Sequence, residues 1–195
     1  MAFLSVASHL STSLLVPYGK DMSDVITSEV RYGSNHIIGV LGLDSVLTTY
    51  VVEKVKRRVE NEGLFDAVVM VTVTNKPNYK KIQDEIAKAL GMKLDDDNIG
   101  VAKKGIRWRD ITWGFRKNKL NDEIESRARR FHPRMLAEDK ILVILHDLCS
   151  KAKGVDLDKV GIPYGTYHTG CKLLLTSTNE DVLSNHMSAQ KIFII

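Results

Sequence analysis

Five short apolar runs constrain the fold of this chain more than any other feature of its sequence. They are dense in valine, isoleucine and leucine, and they do not alternate with polar residues. This pattern is typical of strands buried on both faces of a parallel sheet, because such sheets are covered by helices on each side. The runs are His36–Leu41, Ala67–Thr74, Lys140–Leu145, Cys171–Thr176 and Lys191–Ile195.

Helical patterns lie between these runs. A stripe of valines runs through residues 49–62 while charged residues occupy the other positions, and a similar apolar stripe runs through residues 78–91. A third stripe covers residues 122–130, and Pro133 is expected to end or kink that helix. Strands and helices that alternate in this way predict βαβ units, and 195 residues suffice for one α/β domain.

The segment that follows the first run stands where such a fold would carry the phosphate-binding sequence G-x-x-x-x-G-K-[ST]. In that sequence backbone amides curl around the phosphates, the lysine neutralises them and the hydroxyl reaches Mg²⁺. Gly42 and Thr49 hold their expected places, but Leu47 replaces the second glycine and Thr48 replaces the lysine. A left-handed Leu47 would cost about 1 to 2 kcal/mol, and Asp44 adds negative charge to an anion site.

The basic charge of the chain is concentrated in one segment. Net charge is +4, whereas Ile99–Asp122 contains seven basic and two acidic residues together with Trp108, Trp113 and Phe115. The segment shows no stable period, and we predict a long loop or insertion there. Nucleic-acid binding is the less favoured interpretation of this composition, and a solvated loop the more favoured one.

Cysteine usage and hydropathy indicate an intracellular protein. Cys149 ends one apolar run and Cys171 begins another, which is the usual position of small buried hydrophobes and not of a disulfide framework. The N-terminal segment lacks the basic start of a signal peptide. No apolar stretch approaches the roughly 20 residues that span a bilayer, so no membrane association is expected.

Four sequence blocks, taken in order, resemble the NB-ARC nucleotide-binding domain of plant intracellular immune receptors of the coiled-coil class with leucine-rich repeats. The blocks are HIIGVLGLDSVLTTYVVEKV, LFDAVVMVTVTNKPNYKKIQDEIAKALG, KILVILHDLC and GIPYGTYHTGCKLLLTSTNEDVL. The resemblance implies a P-loop NTPase-like three-layer sandwich with a five-stranded parallel sheet and the P-loop strand at its centre. It assigns residues 35–195 to the nucleotide-binding lobe, with a basic insert at about 99–122, and leaves residues 1–34 as a divergent N-terminal segment.

The same resemblance implies ADP or ATP with Mg²⁺ as cofactors and a cytoplasmic location. Family members carry two consecutive acidic residues at the position of His146 and Asp147, and an arginine at the position of Thr178. By resemblance, Asp147 would be catalytic, and Thr49 and His146 would stand at the Mg²⁺ positions. The nucleotide-binding positions would be Gly42, Ser45, Val46, Leu47, Thr48, Thr49 and Thr178.

Two alternatives for these residues remain open from the sequence. His146 could equally be a strand-end histidine that is hydrogen-bonded to a backbone carbonyl, and imidazole is a poor ligand for Mg²⁺. Asp147 could equally cap a helix or turn. No second ligand at suitable spacing supports a transition-metal site at His146.

The function that the resemblance implies is an ADP- or ATP-binding switch in plant disease resistance. Losing the lysine and one acidic metal ligand should weaken binding by about 3 to 6 kcal/mol, so weak nucleotide binding without hydrolysis is expected. The alternative is a pseudo-NTPase fragment that binds no nucleotide and pairs with other immune-receptor chains. Enzymatic activity is therefore not expected.

Overall fold

The computed structural model describes residues 12–15, 21–73, 77–92, 119–148, 154–165 and 168–195. Its centre is a six-stranded sheet in the order β1-β6-β2-β5-β4-β3, and every neighbouring pair is parallel. The strands are β1 Thr12–Leu15, β2 Ile37–Leu41, β3 Ala67–Thr72, β4 Ile141–Leu148, β5 Cys171–Ser177 and β6 Lys191–Ile194. The helices are α1 Met22–Tyr32, α2 Ser45–Asn61, α3 Tyr79–Ala89, α4 Lys119–Ala137 and α5 Leu157–Val160, and Val182–His186 forms a π-helical segment.

The predicted α/β fold with a parallel sheet is confirmed, and all five predicted strands are present. The structure adds β1, which pairs with β6 at one edge of the sheet and for which the sequence gave no prediction. Strand β2 lies in the interior, between β6 and β5. It is not the middle one of the five predicted strands, because β5 holds that position.

Helices cover both faces of the sheet, as expected for a three-layer sandwich. On one face the valines of α2 pack with Ile26 and Val30 of α1 and with Phe193 of β6. On the other face Ile82 and Ile86 of α3 join a second core cluster with α4, α5 and the π-helical segment. Helix α1 lies within residues 1–34, which the sequence had suggested as a divergent segment, yet it is part of the core.

Two helices differ from their predicted bounds. Helix α2 begins at Ser45, not at residue 49, because the Asp44 side chain caps its first turn. Helix α4 does not end at Pro133 but continues to Ala137, where the fully buried Met135 anchors it to the core. Residues 119–122, which we predicted as part of the insert, form the first turn of α4, and the insert's other residues lie outside the described ranges.

Within the described ranges, none of the helices combines the length and the apolar character needed to cross a membrane.

Candidate functional site

A short connection joins β2 to α2 at the carboxyl end of the sheet. Only Gly42, Leu43 and Asp44 separate the strand from the helix. The Gly42 amide donates to the carbonyl oxygen of Ser177 at the end of β5, at 3.1 Å, and this bond holds the connection against the neighbouring strand. The helix therefore starts where an open phosphate-binding loop was expected.

The Asp44 carboxylate occupies the amide groups at the start of α2. Its Oδ1 accepts hydrogen bonds from the Val46 amide at 2.8 Å and from the Leu47 amide at 3.1 Å. The Thr48 amide donates to the Asp44 carbonyl oxygen at 2.9 Å. These are amides that a bound phosphate would need, since free N–H groups at a helix N-terminus form the anion site. The Asp44 carboxylate is therefore the anion at the N-terminus of α2.

Leu47 does not take the left-handed conformation that an open phosphate loop would require of it. Leu47 lies in the first turn of α2, and the non-glycine residues with positive φ in the described ranges are Asp147 and Ser188. An ordinary helical residue carries no such penalty. A glycine at this position is needed only by an open loop, which this chain does not form.

Thr48, at the position of the missing lysine, is buried. Its hydroxyl donates to the Asp44 carbonyl oxygen at 2.6 Å and packs directly over Gly42. A Cβ on Gly42 would collide with Thr48 Oγ1. Gly42 is therefore required by the packing of a neighbouring side chain, in addition to any role toward a phosphate.

The His146 side chain lies between two threonine hydroxyls. Its Nε2 is 3.0 Å from Thr49 Oγ1, and its Nδ1 is 2.9 Å from Thr176 Oγ1. Thr49 donates its hydroxyl proton to the Ser45 carbonyl oxygen at 2.7 Å, so Nε2 must be the donor to Thr49. Nδ1 then accepts from Thr176. The network therefore assigns a neutral imidazole with its proton on Nε2.

The environment of His146 favours this neutral form. Burial lowers the pKa of His146 below its ordinary value of 6.5, and the nearby negative charges of Asp147 and Glu53 only partly offset that effect. The expected hydrogen bond from His146 to a backbone carbonyl is not observed. Its partners are side chains of α2 and β5.

Asp147 lies within β4, at a bulge. The pairing register of β4 with β5 shifts between Leu145 and Leu148, and Asp147 has a φ of 61°. Its amide donates to Thr176 Oγ1 at 2.8 Å, which replaces the ladder bond that the bulge removes. The Asp147 side chain is exposed at the carboxyl end of the sheet. Thr178 is also exposed there, directly after β5.

The side chains present at this site do not fit a magnesium nucleotide in the observed conformation. The Asp44 carboxylate takes the amides that phosphate oxygens would use, and no lysine offsets its charge. The His146 Nε2 proton points at the Thr49 oxygen that would bind Mg²⁺, and this cation selects oxygen ligands. Among the described residues, no cluster of three histidine, cysteine or acidic side chains could hold a metal ion.

Sequence reasoning missed the capping role of Asp44 and the part played by Thr176. Asp44 directly precedes the helical pattern, and aspartate at such a position is a known N-cap signal that could have been used. No local signal identifies Thr176, because its contact with His146 depends on the pairing of β4 with β5. Cys171 is buried as expected, and burial raises the pKa of its thiol to about 12, whereas Cys149 lies outside the described residues.

Comparison with known proteins identifies the family. A family model described as the NB-ARC domain matches residues 19–194. Disease resistance protein RPS5 of Arabidopsis thaliana is 26% identical over 147 residues, which are 75% of this chain and 14% of that protein. Disease resistance protein SUMM2 of the same plant is 22% identical over 163 residues, 83% of this chain and 15% of that protein.

A third relative, disease resistance protein RFL1 of Arabidopsis thaliana, is 27% identical over 147 residues, 75% of this chain and 14% of that protein. The chain thus spans only 14% to 15% of the length of these three relatives. The family match extends to both sides of the blocks that carry the sequence resemblance, and includes helix α1. By this match over most of its length, the chain belongs to the NB-ARC domain family.

Proposed function

We propose that this chain is an NB-ARC module of plant disease resistance that works without a bound nucleotide, as an interaction domain of the immune system in the plant cytoplasm. One observation carries the proposal: the Asp44 carboxylate fills the amide site that a phosphate would occupy. Anion sites at helix N-termini depend on free N–H donors and a positive field. In this chain the Asp44 carboxylate accepts hydrogen bonds from those N–H donors, and its negative charge offsets the positive field.

The second half of the site supports the same conclusion. Hydrolysis of a nucleotide needs a metal ion to neutralise the developing charge and a base to position water. A neutral, buried His146 supplies neither a negative charge nor an oxygen to a metal. Asp147 keeps an exposed carboxylate, but without a metal and a lysine it has no substrate to act on. We therefore expect no ATPase activity.

A direct test is the thermal unfolding of the full chain with Mg-ADP and with Mg-ATP. A ligand present at 100 times its Kd stabilises a protein by about 2.7 kcal/mol, which shifts the melting temperature by several degrees. We expect no shift at 1 mM nucleotide, and the same absence in calorimetric titration. Micromolar binding of ADP would overturn the proposal.

A residual nucleotide switch is the second candidate function. The position of Thr49 favours it, because this hydroxyl lies near the start of α2 and contacts the end of β4. Switching would require the Asp44 carboxylate to leave the α2 amides whenever nucleotide binds. Weak binding that tightens on replacing Asp44 with serine or glycine, with parallel release of phosphate, would favour this candidate over the first.

A further inference from the structure

The solvent face of α2 carries large apolar side chains at its start. Among the described residues, five large hydrophobic side chains are exposed, and four of them lie in the first two turns of α2 or directly before the helix. Leu43, Val46, Leu47 and Tyr50 are 83%, 78%, 48% and 56% exposed. In ordinary domains such residues occur singly, and a contiguous group marks a contact surface. We call these four residues the apolar patch.

The helical period continues the patch along α2. Positions 46, 50, 54, 57 and 61 are spaced by three or four residues, so they follow one line along the helix. The opposite line is the buried one, with Val52, Val55 and Val59 in the core. The exposed line is therefore a surface feature of a firmly held helix. It is apolar in its first two turns and polar beyond them.

The second half of this line is cationic. A groove of ≈ 490 Å³ is lined there by Tyr50, Lys54, Arg57, Arg58, Asn61 and Glu62. Lys54 pairs with Asp21, and Arg58 pairs with Asp24, both on helix α1. Arg57 is exposed, its Nε donates to the Glu53 carbonyl oxygen at 3.4 Å, and no carboxylate in the described part of the chain pairs with it. One cation thus remains available beside Tyr50.

We propose that the exposed line of α2 docks an acidic amphipathic segment of a partner protein, whose apolar side chains cover the apolar patch and whose carboxylate pairs with Arg57. The line is about 22 Å long between residues 46 and 61, which matches a helical segment of roughly four turns. The proposal rests on the proposed function, because a bound nucleotide would require the start of α2 to open.

Charge favours an acidic partner over a second copy of this chain. A second copy of this chain would bring the same cation to the same face, and the carboxylates at this end of the groove, Glu62, Asp21 and Asp24, are already paired with Arg31, Lys54 and Arg58. An anionic membrane would also be attracted by Arg57, so membrane binding is a separate outcome of the test. An acidic partner complements the apolar patch and the unpaired Arg57 together.

The test uses the full chain and a fluorescein-labelled peptide of about 16 residues, helical by design, with leucines on one face of its first two turns and glutamates on the same face of its last two. Fluorescence anisotropy measures its binding to four proteins: wild type, Val46→Ser/Leu47→Ser, Arg57→Glu, and the control Lys81→Glu. The control makes the same charge change on the exposed face of α3. All substituted side chains are exposed, and circular dichroism verifies folding.

We expect the serine variant to bind about tenfold more weakly or worse, and Arg57→Glu to bind several-fold more weakly while the control binds normally. A peptide with lysines in place of the glutamates should bind the Arg57→Glu variant more tightly than it binds wild type. Equal binding by wild type and the serine variant, or no binding by wild type, overturns the proposal.

Two further measurements test the other occupants. Sedimentation of wild type at high concentration detects self-association, and flotation with phosphatidylserine vesicles detects membrane binding. Loss of either property in the Val46→Ser/Leu47→Ser variant overturns the proposal in favour of a second copy or a lipid surface. ADP binding with intact peptide binding would overturn only the proposed function. A wild-type protein that binds neither ADP nor the peptide would overturn only the docking surface.

Discussion

The Nε2 atom of His146 lies 3.0 Å from the Oγ1 atom of Thr49, and this contact joins the end of β4 to the second turn of α2. The two residues stand at the positions where the family resemblance implies ligands of Mg²⁺. Here they bind each other through the imidazole proton. This bond and the Asp44 cap together occupy the polar groups of the site with contacts from within the chain.

The first prediction concerns restoring nucleotide binding. Leu47→Gly, Thr48→Lys and His146→Asp rebuild the expected motif, yet we expect this triple variant to bind Mg-ADP no better than millimolar, because Asp44 still occupies the α2 amides. Adding Asp44→Gly frees those donors, and each charge-assisted hydrogen bond to phosphate is worth about 1.5 to 3 kcal/mol. The quadruple variant should bind at least tenfold more tightly in calorimetric titration.

Asp156→Gly in the triple background is the control for this series. Asp156 caps α5 through the Lys159 amide, so the change removes a comparable N-cap away from the loop. Micromolar binding by the triple variant alone would show that Asp44 is no obstacle.

The second prediction tests the packing of Thr48 on Gly42. Gly42→Ala should lower the free energy of unfolding by about 1 to 3 kcal/mol, since its Cβ would meet the Thr48 hydroxyl in a closely packed turn. Thr48→Ala removes that hydroxyl, so the double variant should recover part of the loss. Urea denaturation of the four proteins gives the coupling energy. Additive effects would mean that the two residues do not constrain each other.

The third prediction concerns pH. The pKa of His146 is lowered by burial, and the pKa of His132 is lowered by the same cause, so both side chains are held neutral in the folded state. Below about pH 6.5 the unfolded chain takes up protons that the folded chain does not. The free energy of unfolding should therefore fall between pH 7.5 and pH 5.5.

His146→Gln should reduce this pH dependence, because glutamine does not titrate. Denaturant unfolding at several pH values measures the slope, and His132→Gln, which removes the other histidine with a lowered pKa, is the comparison variant. An unchanged slope in His146→Gln would assign the effect to His132 alone.

The fourth prediction concerns Glu29, which connects α1 to the sheet. Its carboxylate accepts from Lys191 Nζ at 2.5 Å and from Asn35 Nδ2 at 2.8 Å, and its side chain is only 11% exposed. Glu29→Gln should cost about 1 to 3 kcal/mol at pH 7, because it leaves the half-buried Lys191 without its counter-charge. Thermal unfolding checks the size of the loss.

The effect of Glu29→Gln should vanish in acid. Desolvation alone would raise the pKa of Glu29, but hydrogen bonds from Lys191 and Asn35 outweigh it and lower the pKa below 4.5. The carboxylate therefore stabilises the fold above about pH 4.5, and that contribution is lost as the pH falls through the lowered pKa. A difference between variant and wild type that stays constant down to pH 3 would contradict the ion pair as its cause.

The strands were predictable because burial on both faces leaves a local mark in the sequence. The uniform apolar run at Ile141–Leu145 is an example, and its residues are fully buried in the sheet. The first turn of α2 was not predicted. The expected phosphate loop and the N-cap at Asp44 cover the same residues, and they imply different starts for the helix. Helix α4 continues through Pro133, because core packing at Met135 outweighs the loss of one helical hydrogen bond.

The amino-acid order alone determined the α/β class, the parallel sheet and the absence of a lysine and a first acidic residue at the positions where the family resemblance implies a nucleotide site. These are properties of short segments, and period, composition and motif record them directly. Only the tertiary structure decided how His146 is held between Thr49 and Thr176, beside a helix whose first amides the Asp44 carboxylate caps. The Asp44 cap is local, but the contacts of His146 join residues far apart in the chain, and only the register of the strands and the start of the helix bring them together.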